Sequence, residues 1–164
     1  MPYELMLCLQ VLLAFFLGFL IGLEREYHHS PAGLRTYAAV CLGACVFGLI
    51  STHAQGDAFY KSVADPTRIA AQIVSGIGFL GAGVIFKDNS RTRGLTTAAT
   101  IWATAAVGLG VAFKMYAVSA LTTFLIIFLL MLAHFRWFRR LKSALYKDNN
   151  TETDTETDTE TETR

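Results

Sequence analysis

The stretch Leu5–Leu23, LMLCLQVLLAFFLGFLIGL, decides the fold class of this chain. It is apolar throughout except for Gln10, and it carries no charge. A helix needs about 20 mostly apolar residues, and at least about 17, to cross the hydrocarbon core of a bilayer. The run is flanked by Glu4 and by Glu24-Arg25-Glu26, which argues against a cleaved signal peptide. We therefore predict a retained transmembrane helix in an integral membrane protein.

Four more charge-free runs of similar length predict four more transmembrane helices. The last two of these runs, Thr97–Phe113 and Met115–His134, meet at Lys114 and Met115, which predicts a tight antiparallel helical hairpin. The predicted fold is an all-α membrane bundle of about five transmembrane helices in residues 1–134. The four runs are Thr36–Thr52, Ile69–Phe86, Thr97–Phe113 and Met115–His134.

The remainder of the chain has a different composition. Residues 135–147 alternate aromatic and basic side chains and predict a basic amphipathic segment in the cytoplasm. Such a segment either lies on anionic lipid headgroups or serves only to stop transfer across the membrane. Residues 148–164 hold seven of the 13 acidic residues, six of them in Thr-Glu and Thr-Asp repeats. With no apolar residue to bury in these repeats, we expect a disordered tail.

The positions of Lys and Arg predict the orientation, because short cytoplasmic loops are enriched in both. If the amino terminus lies outside, only Lys61, Arg68 and Lys114 of the 14 basic residues remain outside. We therefore predict the amino terminus outside and the carboxyl terminus in the cytoplasm.

Small residues in the spans predict how the helices contact one another. Between Gly76 and Gly81 the chain matches the G-x-G-x-x-G nucleotide fingerprint, but here the motif lies inside a membrane span without the strand it requires. We therefore do not predict a nucleotide-binding site. Separately, we predict no nucleic-acid partner. Lipid gives helices no hydrophobic reason to associate, so small residues favour contact by letting backbones approach. The predicted packing positions, which are also compatible with a homodimer, are Gly18, Gly22, Gly76, Gly78, Gly81, Gly83, Ala99, Ala103, Ala106 and Gly110.

Charged residues cluster at the predicted cytoplasmic ends of the helices. The predicted charged rim comprises Glu24, Arg25, Glu26, Arg35 and Arg93. Its carboxylates and guanidiniums could form ion pairs, or fix the topology only, or present Glu24, Glu26 and Asp88 to a hard cation such as magnesium. No other cofactor is predicted. We interpret Cys41 and Cys45 as small core residues rather than metal ligands.

Four blocks of this sequence resemble the signature blocks of the MgtC/SapB membrane proteins of bacteria. They stand in the same order, and the resemblance runs from about residue 10 to residue 116. It implies an inner-membrane protein linked to growth at low magnesium and, in pathogens, to survival inside host cells. For the best-known member of the family it implies regulation by binding the membrane sector of the ATP synthase. The blocks are Gly22–Glu26, Ala32–Thr36, Ala71–Ile85 and Arg93–Trp102.

The chain departs from the longer members after its last predicted helix, where they carry a soluble domain. We expect this chain to be a short form. Two functions are carried forward. The first is a non-enzymatic regulator of another membrane complex during adaptation to low magnesium or related stress. The second is a transporter or channel for magnesium or another cation. An enzyme is not predicted, because no nucleophile and base stand in a recognisable motif.

Overall fold

The structure, a computed structural model, describes residues 3–53, 67–88 and 91–132. The predicted segments 135–147 and 148–164 lie outside these ranges. The chain divides into two compact units, residues 1–127 and 128–164. The elements in chain order are α1 (Tyr3–Tyr27), α2 (Leu34–His53), α3 (Thr67–Gly83), β1 (Phe86–Asp88), β2 (Arg91–Arg93), α4 (Leu95–Ala112) and α5 (Tyr116–Leu132).

The predicted all-α membrane bundle with five helices is confirmed. By length and composition, α1, α2 and α4 are each able to cross a membrane. Helices α3 and α5 have 17 residues each. At 1.5 Å per residue they are about 26 Å long, at the lower limit for a span. The orientation stays a prediction.

Two helices end a few residues away from the ends of the apolar runs that predicted them, and both ends lie at the charged end of the bundle. Helix α1 continues past Leu23 to Tyr27, so Glu24 and Arg25 belong to its last turns. Helix α3 ends at Gly83 instead of Phe86. The chain then forms an antiparallel hairpin in which Phe86 pairs with Arg93 and Lys87 with Thr92. Hydropathy could not separate apolar Val84, Ile85 and Phe86 from the helix before them, because short apolar runs suit strand and helix alike.

Helices α1, α2 and α4 form the core, with the most extensive contacts between α1 and α2 and then between α2 and α4. Glycines allow these helices to approach closely. A Cβ atom at Gly18 would lie 2.6 Å from Cys41 Cβ, and one at Gly22 would lie 2.6 Å from Leu34 Cα. At Gly108, on α4, a Cβ atom would overlap the carbonyl oxygen of Cys41. These three positions leave no space for a side chain.

Polar side chains in the core mostly satisfy their hydrogen bonds locally. Thr100 and Thr104 are buried, and their hydroxyls donate to the carbonyls four residues earlier in α4, at 2.6 and 2.8 Å. Both hydroxyls therefore bond within their own helix. Gln10 links two helices, because its Nε2 donates to the carbonyl oxygen of Val111 at 2.9 Å. Its Oε1 is buried and has no hydrogen-bond partner among the described residues.

The predicted tight hairpin between the last two helices is confirmed. The turn runs from Phe113 to Met115, with Lys114 at a φ of 60°. The Met115 N–H donates to the Gly110 carbonyl at 2.8 Å. Ser119 on α5 donates to the Val107 carbonyl on α4 at 3.1 Å. Most of the large apolar side chains of α5 are exposed, as expected for a helix that faces lipid.

Replacement of Gly108 by Ala is expected to lower the free energy of unfolding by about 1–3 kcal/mol, because overpacking forces the backbone to shift. The carbonyl of Cys41 belongs to α2 and cannot rotate away as a side-chain tip could. Unfolding of the purified protein in increasing detergent denaturant measures the effect. Gly78→Ala is the matched control, since a Cβ atom there meets nothing within 4 Å. Equal stability of the two variants would contradict the described contact.

Candidate functional site

The site is built on the last turns of α1. Arg25 is 7% exposed and forms a two-point ion pair with Glu24, in which Nε donates to Oε2 and Nη2 donates to Oε1 at 2.8 Å. His28 Nδ1 lies 3.2 Å from Glu24 Oε1. A buried guanidinium is tolerated when a carboxylate compensates its charge with good geometry. Glu24 therefore has a defined task, which is to neutralise Arg25.

Glu26 holds the loop between α1 and α2. Its Oε2 accepts a hydrogen bond of 3.0 Å from the backbone N–H of Leu34, the first residue of α2. The first N–H groups of a helix lack partners within the helix, and a carboxylate beside them is favourable. Gly33 lies directly against this carboxylate, so a side chain there would displace the end of the Glu26 side chain. Glu26 thus caps α2 from α1.

Three uncharged polar residues join this loop to the start of α4. The Ser30 hydroxyl is 3.2 Å from the Thr97 hydroxyl. The Tyr37 hydroxyl, in a fully buried side chain, donates to the Thr97 carbonyl at 3.4 Å. Sequence reasoning missed Ser30 and Tyr37 as parts of the site. Both lie just outside the block Ala32–Thr36, and Tyr37 is a polar-tipped aromatic residue at the start of an apolar run.

The other residues of the predicted charged rim do not join the Glu24–Arg25 ion pair. Arg35 and Arg93 are exposed. Where the structure describes side chains, no ion pair joins either arginine to an acidic residue. Asp88 lies at the end of β1. The salt-bridged rim therefore includes Glu24 and Arg25, while the pairing of Arg35 and Arg93 stays a prediction.

The arrangement does not fit a magnesium site. Magnesium needs octahedral oxygen ligands at 2.0–2.1 Å, generally including carboxylates free to bind it. Here both oxygens of Glu24 accept hydrogen bonds from Arg25, and Glu26 Oε2 accepts the Leu34 N–H. Among the described residues no three His, Cys, Asp or Glu side chains come together around one point.

The predicted packing residues divide into two sets. Gly18, Gly22 and Gly81 lie against neighbouring helices of this chain; the Gly81 position is 3.6 Å from Ala98 Cβ. A Cβ atom at Gly76, Gly78 or Gly83 meets nothing within 4 Å.

The small-residue stripe of α4 also faces away from the core. Ala99 and Ala106 are exposed, and Ala103 and Gly110 are half-buried. A Cβ atom at Gly110 would overlap the Ser119 hydroxyl oxygen. The side of α4 that carries Thr97, Thr100 and Thr104 is the side that turns inward.

These features define a class of protein, a helical membrane bundle with a buried ion pair at one end. The MgtC family model matches residues 11–139. The chain belongs to the MgtC family. It is 57% identical over 95 residues to Protein MgtC of Brucella abortus (strain 2308), covering 58% of this chain and 37% of that protein.

Two other relatives extend the comparison. Protein MgtC of Salmonella typhimurium (strain 14028s / SGSC 2262) is 53% identical over 100 residues, covering 61% of this chain and 40% of the relative. An uncharacterized protein of Haemophilus influenzae is 43% identical over 147 residues, covering 85% of this chain and 61% of the relative. The aligned part thus spans less than half of each MgtC relative described here. No solved structure matches the chain.

Proposed function

We propose that this protein is a non-enzymatic regulator that binds another complex within the bacterial inner membrane and serves adaptation to low magnesium or related stress. Membership in the MgtC family supports a membrane protein related to magnesium. The family resemblance suggests the membrane sector of the ATP synthase as the complex. In this proposal the buried Glu24–Arg25 ion pair stabilises the end of the bundle where α1 meets α2.

The observation that carries this proposal is the outward face of α4. Ala99 and Ala106 are exposed, and Trp102 between them is 51% exposed. In lipid, small residues favour helix contact by allowing backbones to approach. The threonine side of α4 already occupies the core, so its alanine side is available to a helix from another protein.

The alternative function is transport of magnesium or another cation. A line of buried polar residues in the core favours it, namely Gln10, Thr100 and Thr104. Against it, the threonine hydroxyls already donate to their own helix, and close glycine contacts at Gly18 and Gly108 tighten the same core.

The test replaces Ala99 and Ala106 by Leu in the full chain and measures growth under magnesium limitation of a strain that depends on this protein. We expect the affinity for the partner complex to fall about tenfold, because two bulky side chains prevent close helix contact. The final cell density of the culture under magnesium limitation should fall with it. Ala117→Leu with Ala120→Leu is the matched control, since both alanines are exposed on α5. It should grow like the unaltered protein, and all variants should be equally abundant in the membrane.

Two readouts separate the proposals. Co-purification from gently solubilised membranes should recover the partner complex with the unaltered protein and lose it with the α4 variant. The same purified sample, reconstituted in liposomes, should show no magnesium flux. Full growth of the α4 variant would contradict the regulatory proposal, and flux from the purified protein alone would establish the alternative.

A further inference from the structure

Helix α3 is mostly exposed in a single copy of the chain. Of its 17 residues only Gly81 is buried. A groove of about 570 Å³ lies between α3 and α2. The groove is lined by Ala39, Gly43 and Phe47 on α2 and by Gln72, Gly76 and Leu80 on α3, among other residues.

Glycine on both walls of the groove is not explained by contacts within the chain. A Cβ atom at Gly43 or Gly76 would meet nothing within 4 Å, so neither glycine is needed for packing inside one copy. Glycine also weakens a helix relative to alanine. In a membrane, small residues on an open face favour a second helix backbone at short distance.

Gln72 gives a second and independent reason to place a protein in this groove. Its side chain is exposed in the groove, and no hydrogen bond to another described residue holds its amide. Hydrocarbon chains of lipid offer neither donor nor acceptor, so an amide that faces them is unfavourable. A helix with its own polar side chain satisfies the amide.

The occupant that fits these features is the same helix from a second copy. Both copies enter the membrane in one orientation, so two α3 helices related by a two-fold axis lie parallel with identical residues at equal depth. Gln72 then meets Gln72, and an amide is both donor and acceptor, so it is complementary to itself. Ile69, Gly76 and Gly83 follow at seven-residue intervals, which keeps one seam of α3 facing its counterpart.

We propose that this protein forms a symmetric dimer in which each α3 helix seats in the α2–α3 groove of the other copy. Gly76 lies where the two helices cross, and the two Gln72 side chains exchange hydrogen bonds. Gly78 lies on the opposite side of α3 and takes no part. This inference stands apart from the proposed function, because a dimer can form whether or not another complex binds the α4 face.

The test uses cysteine cross-linking of the full chain in native membranes. Cys8, which is exposed, is first replaced by Ser, whereas Cys41 and Cys45 are buried and stay. Gly76→Cys and Gly78→Cys are then compared under a mild oxidant. We expect Gly76→Cys to give disulfide-linked dimers in about tenfold higher yield, because disulfides form only when the two Cα atoms approach to about 4.4–6.8 Å. Equal yields at the two positions would overturn the proposal.

A second measurement does not depend on introduced cysteines. Energy transfer between two fluorescently labelled copies in phospholipid vesicles reports the fraction of dimer as lipid dilutes the protein. Gly76→Leu is expected to weaken dimerisation about tenfold, and Gly78→Leu to leave it unchanged. Both substitutions have open space in the single copy, so neither disturbs its fold. If the unaltered protein is monomeric in vesicles, acyl chains or another protein fill the groove and the dimer is refuted.

Discussion

Replacement of Glu24 by Gln is expected to lower the free energy of unfolding by about 3–5 kcal/mol, because it leaves a buried guanidinium without its counter-charge. The side chains of Arg25 and Glu24 are only 9% and 10% exposed, so water cannot substitute for the lost carboxylate. Thermal unfolding of the protein in nanodiscs measures the loss. It should appear as a large fall in Tm and as reduced abundance in the membrane.

Two further variants separate the ion pair from a general effect of charge. The double variant Glu24→Gln with Arg25→Gln removes both charges and should recover much of the lost stability, because no uncompensated ion remains. Arg35→Gln, at an exposed position, should change stability by less than about 0.5 kcal/mol. If Glu24→Gln unfolds at the same temperature as the unaltered protein, the pair only marks the membrane boundary.

Replacement of Gly94 by Ala is expected to cost about 3 kcal/mol from two sources. Gly94 precedes α4 with a φ of 89°, in the left-handed region that disfavours residues with a Cβ atom. A Cβ atom there would also overlap the carbonyl oxygen of Val84, just after α3. Because this oxygen belongs to the backbone, the hairpin itself would have to move. The free energy of unfolding in the same nanodisc assay is the measurement.

Gly78→Ala serves as the control for Gly94→Ala. Gly78 lies within α3, and its Cβ position is open. Alanine is about 1 kcal/mol more favourable than glycine in a helix interior, so this variant should be as stable as the unaltered protein or more so. A Gly94→Ala variant that matches it would show that the β1–β2 hairpin adapts without strain.

Much of the fold was predictable from the sequence because a bilayer imposes a strong and simple requirement. Each spanning helix needs an apolar run, and Leu5–Leu23 alone identifies the class. The runs also predicted the order of the five helices and the turn at Lys114. Hydropathy could not show that α1 extends through Glu24 and Arg25, because it counts charged residues as a boundary even where the helix continues.

The site was less predictable, because hydropathy does not tell which face of a helix meets protein. Ala99 and Thr100 are neighbours on α4, yet the threonine is buried and the alanine is exposed. Gly18 and Gly76 both belong to small-residue motifs, but only Gly18 meets a neighbouring helix of its own chain at short distance. Contacts between distant segments decide these outcomes, as for Ser30 and Thr97, which are 67 positions apart.

The order of helices along the chain has a consequence for biogenesis. During synthesis α1 and α2 emerge first and can associate at once, but their third core partner is α4, and α3 emerges before it. Helix α3 must therefore enter the membrane while its main partner within the chain, α4, is still inside the ribosome. A chain arrested before Leu95 would expose the unfilled side of the α1–α2 pair to quality-control proteases.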